Sequence, residues 1–90
     1  MSSPHRAAAH ERILGMLFEH PMSHNIEWRD FVHMLGALGR LVEEPNGSLH
    51  FTVNGETLVM HRPHKGKDLT EEQITQVRHF FRKVGIAPPS

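Results

Sequence analysis

The dipeptide Asn54-Gly55 constrains the fold of this chain more than any other short segment of the sequence. It separates two stretches in which apolar and polar residues alternate, and this pattern predicts a β-hairpin with a two-residue type I′ turn. Such a turn fixes the strand register, and a slip of one residue would move every side chain to the other face. The register predicts an apolar face made of three cross-strand pairs: Val53 with Glu56, Phe51 with Leu58, and Leu49 with Met60.

The other face of this hairpin is expected to meet solvent and to carry two histidines. Its directly opposed pairs are Thr52 with Thr57, His50 with Val59, and Ser48 with His61. His50 and His61 are therefore diagonal neighbours, close enough for both to touch one group of modest size. The segment 61–67 that follows contains three cations and no acidic residue. Two imidazoles beside a basic loop predict a site on this face.

Length and composition exclude several classes of protein. The 90 residues make one small domain, and the absence of cysteine excludes disulfides and thiolate zinc sites. No apolar run approaches the roughly 20 residues that a membrane span needs, and the start lacks the apolar segment of a signal peptide. We therefore expect a cytoplasmic protein that does not contact membranes. The ten basic side chains equal the ten acidic ones, so any affinity for a polyanion depends on local charge.

Two helices are predicted in the first half of the chain. The first covers residues 4–19, and its apolar stripe must be covered either by this domain or by a partner protomer. The second covers residues 27–38, with Asn25 or Ser23 near its cap and Gly39 as a left-handed C-terminal residue. The apolar positions of the two helices are Ile13, Leu14, Leu17 and Phe18, then Trp28, Phe31, Val32, Leu35 and Leu38.

The last helix has the clearest boundaries in the sequence. Thr70 and Gln73 match a capping box, and Gly85 is placed to end the helix in a Schellman motif with Ile86. The buried stripe is predicted to be Ile74, Val77, Phe81 and Val84, with Leu69 and Ile74 as a hydrophobic staple. Arg78, Arg82 and Lys83 are assigned to the solvent side.

The order after residue 22 is helix, three short strands, helix, with residues 40–44 as the first strand and a turn at 45–47. Two helices on one face of a three-stranded antiparallel sheet would cover the apolar face and leave the other open. The predicted class is α+β, a small α-β-β-β-α domain like the double-stranded-RNA-binding domain with an extra N-terminal helix. Residues 1–22 form the helical extension and residues 23–90 the domain, in a single folded unit.

The segment Asn46-Gly47-Ser48-Leu49-His50, followed by a hairpin and then His61-Arg62-Pro63-His64, resembles the HicA family of bacterial toxins. The resemblance covers roughly residues 27–86. The family motif places a catalytic histidine one or two positions after a Gly-Ser or Gly-Gly pair, and His50 matches the longer spacing. In the commoner form the histidine follows the serine directly, where this chain has Leu49.

The resemblance implies a messenger-RNA endoribonuclease that is neutralised by a HicB-like antitoxin. It assigns the catalytic role to His50 and implies the double-stranded-RNA-binding-domain-like fold. No cofactor is expected, and cleavage of RNA by histidine acid–base chemistry requires no metal. The oligomeric state remains open.

RNA cleavage requires a base for the 2′-OH proton, an acid for the 5′-oxygen and positive charge at the phosphate. Histidine suits both proton transfers because its imidazole titrates near neutral pH. We assign the base to His50 and the acid to His61 or His64. The RNA-binding residues are then Ser48, Arg62, His64, Lys65 and Lys67.

Three alternatives remain open at this stage. The histidines of the strands can simply be solvent-facing polar residues, and the same basic loop can serve a non-catalytic module that binds RNA or a protein. His61 and His64 have a spacing that suits a metal, but neither acids nor thiols accompany them. No Ser-His-acid order for a hydroxyl nucleophile is recognisable.

Overall fold

The computed structural model describes residues 4–23 and 25–87. Within them the chain forms helix α1 (Pro4–Leu17), helix α2 (Trp28–Leu38), strands β1 (Arg40–Glu43), β2 (Ser48–Val53) and β3 (Glu56–His61), and helix α3 (Glu71–Val84). The strands form one antiparallel sheet in the order β1-β2-β3. The predicted α+β class and element order are confirmed, and the element bounds agree with the sequence prediction to within two residues.

The hairpin has the predicted register at all six pairs, from Val53 opposite Glu56 to Ser48 opposite His61. Asn54 and Gly55 both have positive φ, 52° and 78°, as a type I′ turn requires. The Asn54 side chain also donates a hydrogen bond of 2.7 Å to the carbonyl of Val84, which ties the turn to the end of α3. The turn therefore sets both the strand register and the position of the hairpin against the last helix.

Gly55 should resist substitution for conformational reasons alone. A Cβ at this position would meet no atom within 4 Å, but the φ of 78° disfavours any side chain. We expect Gly55→Ala to lower the free energy of unfolding by about 1–2 kcal/mol, measured by urea denaturation. Gly15→Ala is the matched control, because a Cβ there is equally free of contacts within a helix. It should stabilise the protein by about 0.5–1 kcal/mol. Equal effects of the two variants would contradict the turn assignment.

The two ends of α2 differ from the prediction. Glu27 is the N-cap residue, in extended conformation and with no side-chain hydrogen bond to the helix, so neither Asn25 nor Ser23 has this role. Gly39 follows the helix at φ −167° and ψ −160°, so it is extended and not left-handed. Glycine is required here for space: a Cβ would lie 2.6 Å from the carbonyl oxygen of Thr52 and 3.0 Å from the Phe51 ring. The chain turns directly from α2 into β1 against the neighbouring strand.

The first helix belongs to the same core as the rest of the chain. Ile13 and Leu17 are buried, and Leu14 and Phe18 pack against the core, so this domain itself covers the N-terminal stripe. The placement of Arg78 on the solvent side is wrong. Arg78 is half-buried, and its guanidinium donates hydrogen bonds to the carbonyl of Leu17, the last residue of α1, and to the carbonyl of Glu19 just after it. A helix leaves its final carbonyls without backbone partners, and Arg78 supplies donors to this end of α1.

Both ends of α3 form as predicted. Thr70 and Gln73 form a complete capping box, and Gly85 is left-handed at φ 85°. The backbone N–H of Ile86 donates to the carbonyl of Phe81 at 2.8 Å, which completes the Schellman motif. The buried stripe differs at one position, because Phe80 is buried where Val84 is only half-buried.

Phe80 extends the core toward the sheet. Its ring lies edge-on to the Phe51 ring, with 6.0 Å between the ring centroids. All three helices and the apolar face of the sheet thus share one core. In the described part of the chain, no helix combines the length and apolar character needed to cross a membrane.

Candidate functional site

The face of the sheet opposite the core, here called the open face, carries the two histidines predicted for a site. The antiparallel register aligns three rows of side chains across it: Arg40, Thr52 and Thr57; Val42, His50 and Val59; and Ser48 with His61. The hydroxyls of Thr52 and Thr57 are 3.0 Å apart. His50 and His61 lie in adjacent rows on neighbouring strands, a diagonal relation in which Cα atoms are typically about 7–8 Å apart.

His50 occupies the middle of the open face on the central strand. It is half-buried between Val42 and Val59, which remain 41% and 45% exposed. No side-chain hydrogen bond or ion pair of His50 is present among the described residues, so both ring nitrogens are available to a ligand. An imidazole set in an apolar surround and without internal partners is suited to proton transfer with a bound molecule.

His61 is held by a direct contact with the residue opposite it. Its Nε2 lies 3.0 Å from the hydroxyl oxygen of Ser48, which is itself only 7% exposed. The Ser48 backbone N–H donates to the side chain of Asn46 at 3.0 Å, so the preceding turn fixes the serine in turn. This arrangement leaves Nδ1 of His61 without a partner in the described part of the chain. When the ring is charged, Nε2–H donates to Ser48 and Nδ1–H is free to donate to a ligand.

The pairing of Ser48 with His61 also resembles the contact between a hydroxyl nucleophile and its base. In the described chain, however, no carboxylate contacts the other nitrogen of His61. Ser48 is also buried, which limits access of a substrate to its hydroxyl. These two features make Ser48 an orienting partner of His61, and a contact of its hydroxyl with RNA would require this bond to break.

Helix α3 fixes the outer edge of β3, and with it the backbone of His61. Gln73 donates from its side chain to the carbonyl of His61 at 2.7 Å, and Gln76 donates to the carbonyl of Val59 at 3.2 Å. In a two-residue hairpin these carbonyls point away from the partner strand and need other donors. The strand that carries His61 is therefore held on both sides.

The basic loop 62–67 is anchored at both ends. The backbone N–H of Arg62 donates to the carbonyl of Gly47 at 3.2 Å, and the carbonyl of Lys67 accepts from the N–H of Trp28 at 2.7 Å. Pro63 is buried, whereas His64 and Lys65 are exposed between these anchors. The middle residues of the loop are therefore exposed to solvent, while hydrogen bonds hold both of its ends.

The predicted site residues fall into two groups on different sides of the sheet. His50, Ser48 and His61 share the open face, whereas Arg62 and Lys67 line a cleft of about 660 Å³ beside α2. Arg62 and Lys67 belong to the segment that follows the end of β3 at His61. Arg62 and Lys67, both expected to bind RNA, thus line a cleft whose lining includes neither His50 nor His61.

Two further observations complete the site. Among the side chains that the structure describes, those of residues 10–23 and 25–87, no group of three histidine, aspartate or glutamate side chains is arranged to hold a metal ion. The cleft was not among the sites predicted from the sequence, and its other lining residues include Trp28, Arg29, His33 and Glu43. It is lined by three segments, residues 27–33, Glu43 and residues 62–67, which are far apart in sequence, and no local pattern connects them.

Similarity to known proteins does not add to this description. Protein-family models, curated proteins and solved structures were compared with this chain. None of them matches it.

Proposed function

We propose that this protein is the toxin of a toxin–antitoxin pair, a metal-independent endoribonuclease that cleaves messenger RNA in the cytoplasm. One observation carries the proposal: His50 and His61 lie on the same solvent-facing side of one hairpin, and Ser48 orients His61. The resemblance of residues 46–50 and 61–64 to the HicA motifs supports the same activity and a fold like the double-stranded-RNA-binding domain.

The proposed reaction needs only groups on this face and the RNA itself. His50 removes the proton from the 2′-OH, and the resulting oxygen attacks the adjacent phosphorus. His61, charged and oriented through Ser48, donates a proton from Nδ1 to the departing 5′-oxygen. The products are a 2′,3′-cyclic phosphate and a 5′-OH end, and each histidine has exchanged its protonation state. Exposed Lys65 supplies positive charge close to the strand that carries His61, and exposed His64 lies next to it in the loop.

A HicB-like antitoxin is the proposed protein partner, and the open face is the surface that it would cover. Val42 and Val59 flank His50 as the exposed large apolar side chains of the described chain. A protein partner that buries these two valines would also exclude RNA from His50. Binding of the antitoxin would then inhibit RNA cleavage and bury the two exposed valines at the same surface.

The same two valines favour a second candidate function, a non-catalytic module that binds RNA or a protein. Exposed apolar residues beside polar ones are common at binding surfaces, whether or not chemistry follows. A cleavage assay separates the two functions. The purified protein, free of any antitoxin, should cut single-stranded RNA in the presence of EDTA and leave 2′,3′-cyclic phosphate ends. RNA binding without cleavage would establish the binding module.

RNA affinity should depend on salt through the basic loop. We expect the double variant Lys65→Ala/Lys67→Ala to reduce the slope of log affinity against log salt by about 0.7 for each phosphate contact that is lost. Fluorescence anisotropy with a labelled single strand measures this slope. Lys83→Ala is the control, because Lys83 pairs with Glu56 beside the Asn54-Gly55 turn, at the opposite end of β3 from the loop. If the double variant had the same slope as the wild type, the basic loop would not contact the RNA.

A further inference from the structure

The cleft beside α2 has the features of a binding site that is separate from the open face. Its volume of about 660 Å³ is within the range of small-molecule sites, typically about 300–1,000 Å³. Trp28, Val32 and Pro63 give it an apolar wall, and both Trp28 and Pro63 are buried. An apolar wall of this kind accommodates a flat or hydrophobic part of a ligand.

The charged groups around the cleft favour a phosphate. Arg29 and Arg62 line it, and in the described chain neither guanidinium forms an ion pair or hydrogen bond through its side chain. One guanidinium can donate two parallel N–H hydrogen bonds to the oxygens of a phosphate. Two guanidiniums that have no partner and line the same cleft can therefore both contact one phosphate. Lys67 also lines the cleft, 4.0 Å from Glu27. The start of α2 contributes the partial positive charge of a helix N-terminus.

The indole of Trp28 leaves one polar group in the wall of the cleft without a partner. Trp28 lines the cleft and is 93% buried. Its Nε1–H is buried as well and has no hydrogen-bond acceptor among the described residues. A buried donor without a partner destabilises the folded protein, because it has lost its hydrogen bonds to water. A ligand that brings an acceptor oxygen or nitrogen would satisfy this group. Because the nitrogen is enclosed, the ring must tilt toward the cleft to make the bond.

Glu43 completes the set of recognition groups. Its carboxylate lines the cleft and has no side-chain partner in the described residues, so it can accept hydrogen bonds from ligand hydroxyl or amino groups. The ligand thus needs a phosphate, a flat apolar body with an acceptor, and hydroxyl or amino donors. From this combination we infer that the cleft binds a nucleoside monophosphate, either free or as one unit of an RNA strand. The inference does not require that the open face cleave RNA.

The single tryptophan of the chain offers a direct test. The full-length His50→Ala variant is titrated with nucleoside 5′-monophosphates while the indole N–H resonance is followed by NMR. We expect a saturable shift of this resonance, and a much smaller one with inorganic phosphate or with the nucleosides alone. Arg29→Ala and Arg62→Ala should each weaken binding about tenfold. Arg40→Ala should not, because Arg40 belongs to the open face.

The same titration with a short oligoribonucleotide identifies the source of the nucleotide. Tighter saturation of the Trp28 shift by the oligonucleotide assigns the cleft to a unit of an RNA strand. A shift with monophosphates alone assigns it to a free nucleotide. No shift with any nucleotide, or an Arg62→Ala variant that binds as tightly as its parent, would overturn the inference. Because His50 is absent from the protein used, failure of RNA cleavage and failure of nucleotide binding remain separate results.

Discussion

Replacement of His50 by alanine is expected to slow RNA cleavage by about 10²-fold or more, the usual contribution of a positioned proton-transfer group. The fold should persist, because His50 forms no side-chain hydrogen bond or ion pair in the described chain and lies on the open face of β2. The loss of stability should not exceed about 1 kcal/mol, the span of strand propensities. The cleavage rate is measured as the initial rate on a single-stranded RNA. The stability is measured by thermal unfolding of the same sample.

His79→Ala is the matched control for this variant. His79 is exposed on α3 and has no side-chain partner in the described residues, so it tests the general effect of losing an imidazole. Its cleavage rate should equal that of the wild type. RNA affinity of the His50→Ala variant should change little, which would place the defect in the chemical step. A His50→Ala variant that cleaves at the wild-type rate would exclude His50 as the base.

Features that local chemistry determines were predictable from the sequence. Asn54-Gly55 fixes the hairpin register because few residues tolerate positive φ at two consecutive positions. The Thr70–Gln73 capping box and the left-handed Gly85 likewise satisfy groups within a few residues of themselves. The same register placed His50 and His61 on one face, so this half of the candidate site followed directly from the sequence.

Features that depend on distant segments were not predictable in this way. Arg78 has the spacing of a solvent-facing residue in α3, and only the position of α1 gives its guanidinium two carbonyls to bind. The cleft combines α2, the end of β1 and the loop after β3, and no pattern in the sequence links these segments. Arg62 shows the limit most clearly: its position after His61 suggested one shared site, yet it lines the cleft, whose lining does not include His61.

Gly39→Ala should be among the most destabilising single changes of one methyl group in this protein. The added Cβ would lie 2.6 Å from the backbone oxygen of Thr52 and 3.1 Å from the Cβ of Val53, both on the central strand. Backbone in the middle of a sheet cannot move away as the end of a flexible side chain can. We expect the free energy of unfolding to fall by about 1–3 kcal/mol, as in other overpacked sites. Each kcal/mol corresponds to roughly 4–8 °C in Tm for a domain of this size.

Gly36→Ala, three residues earlier, should have the opposite effect. Gly36 is exposed within α2, and a Cβ there would be 3.7 Å from a methyl group of Leu41, an ordinary van der Waals contact. Replacing an interior helical glycine by alanine should stabilise the protein by about 0.5–1 kcal/mol. Urea denaturation of Gly39→Ala and Gly36→Ala measures the free energy of unfolding of each variant. If Gly39→Ala were stabilising too, the close approach of α2 to β2 would be wrong, and glycine at position 39 would need another explanation.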